Sequence, residues 1–443
     1  MTLPPEHPNR PAVQTLRWMF RPIEFMDEAR ERYGETFGIK FIGFQTPLYF
    51  TSDPAAAKLI YSNPRNTLPP GRNAVLEPVM GPRSILLLEG AEHMARRKLM
   101  LPPFHGERMR AYESVIEEVV GREIDSWPLG EEFRIHPRMQ SVTLEVIMRA
   151  VFGVSEESQL ARMREALGVL VHQTASASRQ LIGLASQRFG RWGPWRSFEK
   201  TLQRVDARIY EQVAARRADP DLEQREDILS MLLVARFEDG GQMSDEEVRD
   251  QLVTLLLAGH ETTATALAWT FDLLLRNPAA LERLRAEIEA GESDEYLRAV
   301  IAESLRLRPV VPIAGRRLTE DIEVDGYTLP AGADVSPAIY LSHTRADVYP
   351  DPHSFKPERF LDGGPETYSW VPFGGGVRRC LGASFAEFEM RIVLSEVLGR
   401  CRLRAASGQP EGVKRRNITF SPKRGTPVVL VERSAAVREP AYA

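Results

Sequence analysis

The sequence predicts a mainly α-helical protein with a smaller β region, an α+β fold, and two observations support this prediction. From about residue 53 to 310, the chain of 443 residues is dominated by apolar residues at helical spacing. After residue 310 the pattern changes to short alternating segments separated by glycine and proline, which indicates strands and hairpins. One more helix is expected at about 382–399.

The predicted strands fall in three parts of the chain. The segment ETFGIKFIGFQTPLYFTSD predicts two strands and a turn at about 35–51, and further β-rich parts are expected at about 315–336 and 402–432. Residues 1–21 are polar and rich in proline, and we expect them to form an extended arm. With no repeat or low-complexity linker in the sequence, we expect the whole chain to form a single domain.

Composition narrows the class of protein. Apolar residues make up 43% and charged residues 27% of the chain, an ordinary globular balance, and the net charge of -4 gives no indication of a nucleic acid partner. Two cysteines, Cys380 and Cys401, are too few for a disulfide framework and suit a reducing cytoplasm. The N-terminus lacks the apolar run of a signal peptide, and no stable membrane anchor is expected.

The longest predicted helix is the most informative one. Ser244 and Glu247 form a capping box, an apolar stretch follows to Leu275, and Pro278 ends the pattern. A helix of about 33 residues spans about 50 Å at its ordinary rise per residue. Such a helix must cross a whole domain.

A polar turn interrupts this helix at LLLAGHETT, residues 255–263. Gly259 costs about 1 kcal/mol there relative to alanine, and close approach to a flat cofactor would explain it. We expect Glu261 to pass protons and Thr262 to bond back to a carbonyl or to a water, with local distortion of the helix. The zinc pattern HExxH is not completed, because residue 264 is alanine.

The segment WVPFGGGVRRCLGA at 370–383 contains Cys380. Glycines let the backbone fold tightly around the sulfur, and the helix predicted after Gly382 points its N-terminus at it; both favour a thiolate. A thiolate ligand on haem iron favours O–O cleavage. The alternative, a buried free cysteine beside a glycine turn, is disfavoured by six matches to F-G-x-G-x-R-x-C-x-G. The matching residues are Phe373, Gly374, Gly376, Arg378, Cys380 and Gly382.

These residues resemble the haem-binding signature of the cytochrome P450 family, and motifs in the family's order cover about residues 20 to 432. The resemblance implies the family's fold, a triangular helical domain with a long central distal helix. It also implies haem b (iron protoporphyrin IX) as cofactor, with Cys380 as axial ligand of the iron. Glu261 would be the proton relay and Thr262 the hydrogen-bonding alcohol. Further haem-contacting residues implied are Ala258, Gly259, Phe373, Gly374, Arg378 and Gly382.

Glu303 and Arg306 have the spacing E-x-x-R, which places both on one helical face. The spacing alone is uninformative, because it recurs in this chain, for example at Glu282 and Arg285. The position upstream of KPERF is what resembles the family. The resemblance implies a buried ionic triad of Glu303, Arg306 and Arg359 with a structural role.

Four cations are candidates for the two haem propionates. His93 and Arg97 share a helical face by their i, i+4 spacing. Arg316 and Arg378 match family positions, and arginine makes bidentate contacts with carboxylates.

The chain shows no flavin, nicotinamide or iron–sulfur module. We therefore expect electrons from a ferredoxin or flavodoxin with its reductase, and NAD(P)H to act only indirectly. Arg96, Lys98 and Arg379 are candidates for a basic docking face. The segments that the resemblance places beside the substrate, such as PVVPIA, are mostly apolar and indicate a lipophilic substrate: a fatty acid, terpenoid, steroid or polyketide. The basic aromatic loop at 188–196 is a surface connection, a membrane contact or a substrate lid.

The sequence thus predicts a monomeric haem-dependent monooxygenase that inserts one oxygen atom from O2 into a C–H or C=C bond. Two alternatives stay open: a peroxide-using haem-thiolate enzyme, and a non-catalytic haem-thiolate sensor or binding protein. The pair Glu261 and Thr262 favours the monooxygenase, because a peroxide user has less need of a proton relay.

Overall fold

The computed structural model describes residues 2–66, 77–153, 161–165, 167–168, 194–416 and 418–434. Within them the chain is mainly helical with four small sheets, which confirms the predicted fold class. Residues 188–193 of the basic aromatic loop lie outside the described residues. The chain divides into two compact units. The first comprises Met1–Pro69, Val120–Met139 and Thr262–Ala443, and the second Pro70–Val119 and Gln140–Glu261. The single-domain organisation stays a prediction.

The helices are named in chain order. They are α1 (Pro11–Phe20), α2 (Pro22–Tyr33), α3 (Pro54–Ser62), α4 (Glu77–Met80), α5 (Gly90–Met100), α6 (Glu113–Asp125), α7 (Ile135–Phe152), α8 (Pro194–Arg217), α9 (Ile228–Val234), α10 (Asp245–Arg276), α11 (Pro278–Ala290), α12 (Glu295–Leu307), α13 (Ile339–His343) and α14 (Ala383–Arg400). Among the helices that the structure describes, none combines the length and the apolarity needed to span a bilayer.

The strands are β1 (Thr36–Ile39), β2 (Leu48–Thr51), β3 (Glu132–Arg134), β4 (Arg316–Arg317), β5 (Ile322–Val324), β6 (Tyr327–Leu329), β7 (Asp334–Pro337), β8 (Cys401–Ala405), β9 (Val413–Arg416), β10 (Thr419–Pro422) and β11 (Pro427–Arg433). All belong to the first unit. The largest sheet has the order β1-β2-β7-β4, in which β2 and β7 are parallel, and a second sheet has the order β3-β11-β8. The sequence did not predict β3, a single short strand within the helical part.

The predicted extended arm at residues 1–21 is wrong in its second half, where Pro11–Phe20 forms helix α1. Proline fits the first turn of a helix, because that turn has no intrahelical partner for its N–H. Helix α1 buries Trp18 and Met19, and the Trp18 ring lies 5.9 Å from the Phe50 ring. This aromatic packing stabilises a helix whose composition alone did not indicate one.

The predicted capping box at the start of the long helix is confirmed. The backbone N–H of Ser244 donates to Glu247 Oε2 (2.9 Å), and the N–H of Glu247 donates to Ser244 Oγ (3.2 Å). Helix α10 then continues without interruption from Asp245 to Arg276. The local distortion expected near Thr262 stays a prediction.

Candidate functional site

The loop that contains Cys380 is folded back on itself by backbone hydrogen bonds. The N–H of Cys380 donates to the Phe373 carbonyl (2.9 Å), and the N–H of Gly374 donates to the Val371 carbonyl (2.9 Å). The residues Gly376–Arg378 form a single 3-10 turn between them. The backbone on both sides of the cysteine is thereby fixed.

Two glycines of this loop are required by its shape. Gly374 and Gly376 have positive φ values of 68° and 65°, which side chains rarely adopt. A Cβ atom on Gly376 would overlap the backbone carbonyl of Tyr61, and one on Gly375 would overlap the Tyr61 ring. The loop therefore packs directly against helix α3.

The two cysteines have opposite environments. Cys380 is exposed and lies three residues before helix α14, whose positive N-terminal end favours a thiolate. Cys401 is buried, and burial raises the pKa of its thiol to about 11. Cys401 therefore behaves as a small buried hydrophobic residue with a protonated thiol.

Arg316 lies beside the cysteine loop. Its guanidinium donates to the carbonyls of Gly315 (2.8 Å) and Gly375 (3.4 Å) and stacks 5.0 Å from the centre of the Tyr61 ring. It is buried, and this burial lowers its pKa. No carboxylate of the described residues forms an ion pair with it. A buried cation of this kind suits the carboxylate of a ligand.

The three residues of the predicted ionic triad lie together. Arg306 donates two parallel hydrogen bonds to the Glu303 carboxylate, at 2.6 and 2.8 Å, and both side chains are fully buried. Arg359 Nε lies 3.5 Å from Glu303 Oε1, an ion-pair distance rather than a well-formed hydrogen bond. The triad is therefore a strong bidentate pair with a weaker third member.

Arg306 also fixes the backbone that leads to the cysteine loop. Its guanidinium donates to the carbonyls of His343 (2.8 Å), Pro352 (2.7 Å) and Ser354 (3.2 Å). The N–H of Lys356 completes the arrangement by donating to Glu303 Oε1 (2.9 Å). Helix α12 thus organises the segment 343–356 through side-chain-to-backbone bonds.

His343 is a structural residue that the sequence reasoning missed. Its Nε2 accepts a hydrogen bond from the N–H of Val371 (2.9 Å), and its Nδ1 lies 3.3 Å from the Arg306 carbonyl. Complete burial, together with the charge of Arg306, lowers its pKa to about 3. The ring is therefore neutral and carries its proton on Nδ1, since Nε2 is an acceptor. In the sequence, His343 stands between the strands predicted at about 315–336 and the segment KPERF. No sequence motif marks a histidine at this position as structural.

The proposed proton-relay residue, Glu261, lies in the second unit and is buried. Gln140 Nε2 of helix α7 donates to Glu261 Oε2 (2.5 Å), and His260 Nε2 lies 4.0 Å from the same oxygen. Thr143 of the same helix donates to the His260 carbonyl (2.8 Å). Helix α7 thus holds both the backbone and the carboxyl group of this turn. No sequence pattern marked Gln140 as its partner.

Gly259 has a packing role that the sequence did not predict. A Cβ atom at this position would lie 3.2 Å from Ile147 Cδ1, so the missing side chain permits close contact with helix α7. The reason expected from the sequence was close approach to a cofactor. The cofactor role of Gly259 remains a proposal.

The remaining predicted haem contacts occupy both units. In the second unit His93 is buried on helix α5, Arg97 is half-buried one turn later, and Ala258 is exposed on α10. In the first unit Arg378 and Thr262 are half-buried. The structure therefore confirms the shared helical face of His93 and Arg97, but their role stays a prediction.

The predicted basic docking face is wrong in one member. Arg96 is 2% exposed, pairs with Glu247 (2.5 Å) and lies 5.3 Å from the centre of the Phe237 ring. Its charge is thus neutralised inside the protein. Lys98 and Arg379 are exposed, although Lys98 pairs with Glu238.

The first unit fits a haem in two independent ways. It presents an exposed thiol three residues before a helix, and it holds a buried guanidinium that, among the described residues, donates its hydrogen bonds to backbone carbonyls. The residues concerned are Cys380 and Arg316. A tetrapyrrole that carries carboxylates and takes a thiolate ligand matches both.

Comparison with known proteins identifies relatives along nearly the full chain. The Mycobacterium tuberculosis protein named cytochrome P450 135B1 is 40% identical over 431 residues, which cover 96% of this chain and 90% of the relative. Cytochrome P450 138 of Mycobacterium bovis is 34% identical over 434 residues and 97% of each chain.

Solved structures of the same fold are also found. The retinoic acid-bound cyanobacterial CYP120A1 superposes with a TM-score of 0.84 and 25% identity, covering 98% of this chain and all of that one. The cytochrome P450DA heme domain has a TM-score of 0.85 at 22% identity, which shows the shared fold.

The family model of cytochrome P450 matches residues 4–428. Membership of this family implies a haem cofactor and, in general terms, a haem-thiolate monooxygenase. The resemblance expected from the cysteine loop is confirmed, and the chain belongs to the cytochrome P450 family.

Proposed function

We propose that this protein is a monooxygenase that inserts one atom of dioxygen into a lipophilic small molecule, with electrons from a separate redox protein. The observation that carries the proposal is the position of Cys380: exposed, three residues before helix α14, in a loop folded by its own hydrogen bonds. Family membership supports the oxidoreductase class.

The residues that would hold the haem are those that match the family's haem-contacting positions. Cys380 would hold the haem iron through its thiolate, and the N-terminus of α14 would stabilise the negative charge of that sulfur. When bound, the haem supplies the oxygen-activating one-electron chemistry. Other residues would neutralise the haem carboxylates or contact the haem ring. They are His93, Arg97, Ala258, Gly259, Arg316, Phe373, Gly374, Arg378 and Gly382.

Glu261 and Thr262 supply protons in this proposal. The Glu261 carboxyl takes up and releases a proton, and the Thr262 hydroxyl hydrogen-bonds the group that receives it. Gln140 holds Glu261 Oε2 through its amide, so the carboxyl has a fixed orientation. A monooxygenase needs an acid held in this orientation to deliver protons, whereas a peroxide-using enzyme has less need of one.

Two variants test the relay. We expect Glu261→Gln and Thr262→Ala to lower the ratio of product formed to oxygen consumed by about a hundredfold, because a positioned acid contributes on the order of 10²–10⁴ in rate. Arg122→Gln, at an exposed residue of α6, serves as the control and should keep the native ratio. Turnover with hydrogen peroxide but not with dioxygen and a reductant would overturn the proposal in favour of the peroxide-using alternative.

A ferredoxin or flavodoxin with its reductase is the proposed electron source, with NAD(P)H as the ultimate donor. Arg379 is exposed one residue before Cys380, and its guanidinium lies 5.9 Å from the centre of the Phe373 ring. We expect Arg379→Glu to slow reduction by an acidic partner at low salt. An unchanged rate would remove Arg379 from the docking surface.

The substrate class is proposed as a fatty acid, terpenoid, steroid or polyketide. The structural relative was solved with retinoic acid, an apolar isoprenoid carboxylate, which supports a lipophilic ligand. Titration of the ferric protein with retinoic acid, a long-chain fatty acid and a steroid should shift the spin state with at least one of them. If none shifts it and no reductant-dependent oxygen consumption is seen, the non-catalytic binding protein becomes the better reading.

A further inference from the structure

Arg415 of strand β9 is a half-buried cation for which the described residues provide no counter-charge. No carboxylate of those residues pairs with its guanidinium, and its N–H groups donate no hydrogen bond to any of them. Burial lowers the pKa of Arg415 to about 10, and no neighbouring carboxylate opposes this effect. Because a cation removed from water costs free energy unless it is paired, the position of Arg415 requires an explanation.

The fully buried arginines of the described residues show what such a cation ordinarily has beside it. Five of the six pair with a carboxylate: Arg96, Arg216, Arg249, Arg285 and Arg306. The sixth is Arg316, for which a carboxylate of the haem is the proposed partner. Arg308 is half-buried and also lacks an ion pair among the described residues, but the charge of Asp272 acts on it. By the same reasoning as for Arg316, the missing partner of Arg415 is an anionic group of a bound molecule.

The ring of Trp18 orients the guanidinium of Arg415. The central carbon of the guanidinium lies 5.7 Å from the centre of this ring, a cation–π distance. The N–H groups of a guanidinium point outward in its own plane, so a contact with its face leaves them available. Two parallel N–H groups of this kind match the two oxygens of a carboxylate.

The surroundings of Arg415 are otherwise apolar. Arg415 lies opposite Phe420 in the pairing of β9 with β10, and the Trp18 ring lies 5.9 Å from the rings of both Phe420 and Phe41. Phe41 and Ile313 pack against this cluster and are only half-buried. A charged group at Arg415 and an apolar chain beside it would both find a complementary surface.

The hairpin of β9 and β10 is joined to the segment PVVPIA, for which the sequence predicts a contact with the substrate. The N–H of Phe420 donates to the Val310 carbonyl (2.8 Å), and Ile313 of the same segment packs on the cluster of Trp18 and Phe420. A molecule held by Arg415 would therefore lie close to this segment.

We propose that Arg415 binds the carboxylate of an amphipathic acid, whose apolar part lies along the half-buried side chains of Phe41 and Ile313. The proposal rests on the proposed function and deepens it, because it selects carboxylic acids among the lipophilic substrates. A neutral terpenoid or steroid would leave Arg415 without a partner.

The test compares two acids with their matched alcohols on the ferric holoprotein: dodecanoic acid with dodecan-1-ol, and retinoic acid with retinol. Calorimetry measures binding, and the absorption spectrum reports the spin state of the iron. We expect at least one acid to bind about tenfold more tightly than its alcohol, because hydrogen bonds to a charged group are the stronger ones. Arg415→Met should weaken binding of that acid about tenfold and leave binding of the alcohol unchanged. Arg415→Lys should keep part of the preference, since it keeps the charge but loses the bidentate geometry.

The matched control is Arg404→Met, which removes the same charge from an exposed position on β8 and should keep the native preference. The proposal is overturned if neither acid binds more tightly than its alcohol, if Arg415→Met keeps the preference, or if the control loses as much of it. Loss of haem from Arg415→Met would assign Arg415 to a haem carboxylate instead. A large fall in the Tm of ligand-free Arg415→Met would show a structural role, and either result would overturn the proposal.

The same titrations separate this proposal from the proposed function. Binding of an acid that depends on Arg415 but leaves the spin state unchanged would support the carboxylate site and place the bound acid away from the iron. Absence of oxygen consumption with an acid that does bind would count against the monooxygenase alone.

Discussion

Helices α11 and α12 each carry a glutamate–arginine pair with the same i, i+3 spacing, but the two pairs have different surroundings. In α12, Glu303 and Arg306 are both fully buried and make two parallel hydrogen bonds. In α11, Arg285 contacts Glu282 at 3.1 Å, and the Glu282 side chain is 70% exposed. The i, i+3 spacing therefore allows the two side chains to contact each other. Burial and the additional backbone partners decide how much each pair contributes to stability.

The largest expected difference is in stability. Glu303→Gln leaves Arg306 buried without its counter-charge, and we expect the free energy of unfolding to fall by about 3–5 kcal/mol. Glu282→Gln, the matched change in α11, should cost less than about 1 kcal/mol, because its carboxylate is in water. Denaturant unfolding of the two variants measures this. Similar losses in both would show that burial does not separate the pairs.

A second difference concerns pH, through His343 at the end of the α12 network. Its folded pKa of about 3 lies below the ordinary value of 6.5, so the unfolded chain binds the additional proton. Stability therefore falls as the pH drops below about 6.5, by up to about 1.4 kcal/mol per pH unit from this residue. His343→Gln should flatten the slope of unfolding free energy between about pH 6 and 4. An equal slope in native and His343→Gln proteins would contradict this assignment.

The comparison extends to Glu261, a buried carboxyl that accepts a hydrogen bond from the Gln140 amide. Gln140→Leu removes that donor, and we expect product formed per oxygen consumed to fall about tenfold, a loss of about 1.4 kcal/mol in a positioned proton transfer. The solvent isotope effect on turnover should rise, a response that a merely structural residue would not give. Binding of substrate and the carbon monoxide spectrum should stay unchanged. A Gln140→Leu protein with native coupling would exclude a positioning role.

The smallest expected effect is at the second point where α12 holds the cysteine loop. Trp370 Nε1 donates to the Ala302 carbonyl (3.2 Å). Trp370→Phe keeps the ring but loses this hydrogen bond, and it should lower the free energy of unfolding by about 1 kcal/mol. A loss as large as that of Glu303→Gln would show that the loop, rather than the ionic triad, dominates the stability of this region.

Much of this architecture follows from local sequence. The capping box of α10, the proline that begins α11 and the glycines of the cysteine loop act through nearby backbone, so the sequence pattern alone predicts them. Helix α1 was missed because tertiary burial of Trp18, rather than propensity, stabilises it.

Contacts between distant residues escaped prediction for the same reason. Gln140 reaches Glu261 across 121 positions, and His343 reaches Val371 across 28. Neither of these two contacts is marked by a local sequence motif. Arg96 was misassigned to the surface because sequence cannot distinguish an arginine in water from one that is stacked on Phe237 and paired with Glu247.

The most direct test of the central claim is the spectrum of the reduced protein with carbon monoxide. If Cys380 is the axial ligand, the native protein shows the red-shifted Soret band of a thiolate-ligated haem. Cys380→Ala should lose that band, and Cys401→Ala, which changes the buried cysteine, should keep it. A spectrum typical of histidine-ligated haem in the native protein, or a red-shifted band that survives Cys380→Ala, would contradict the assignment of Cys380.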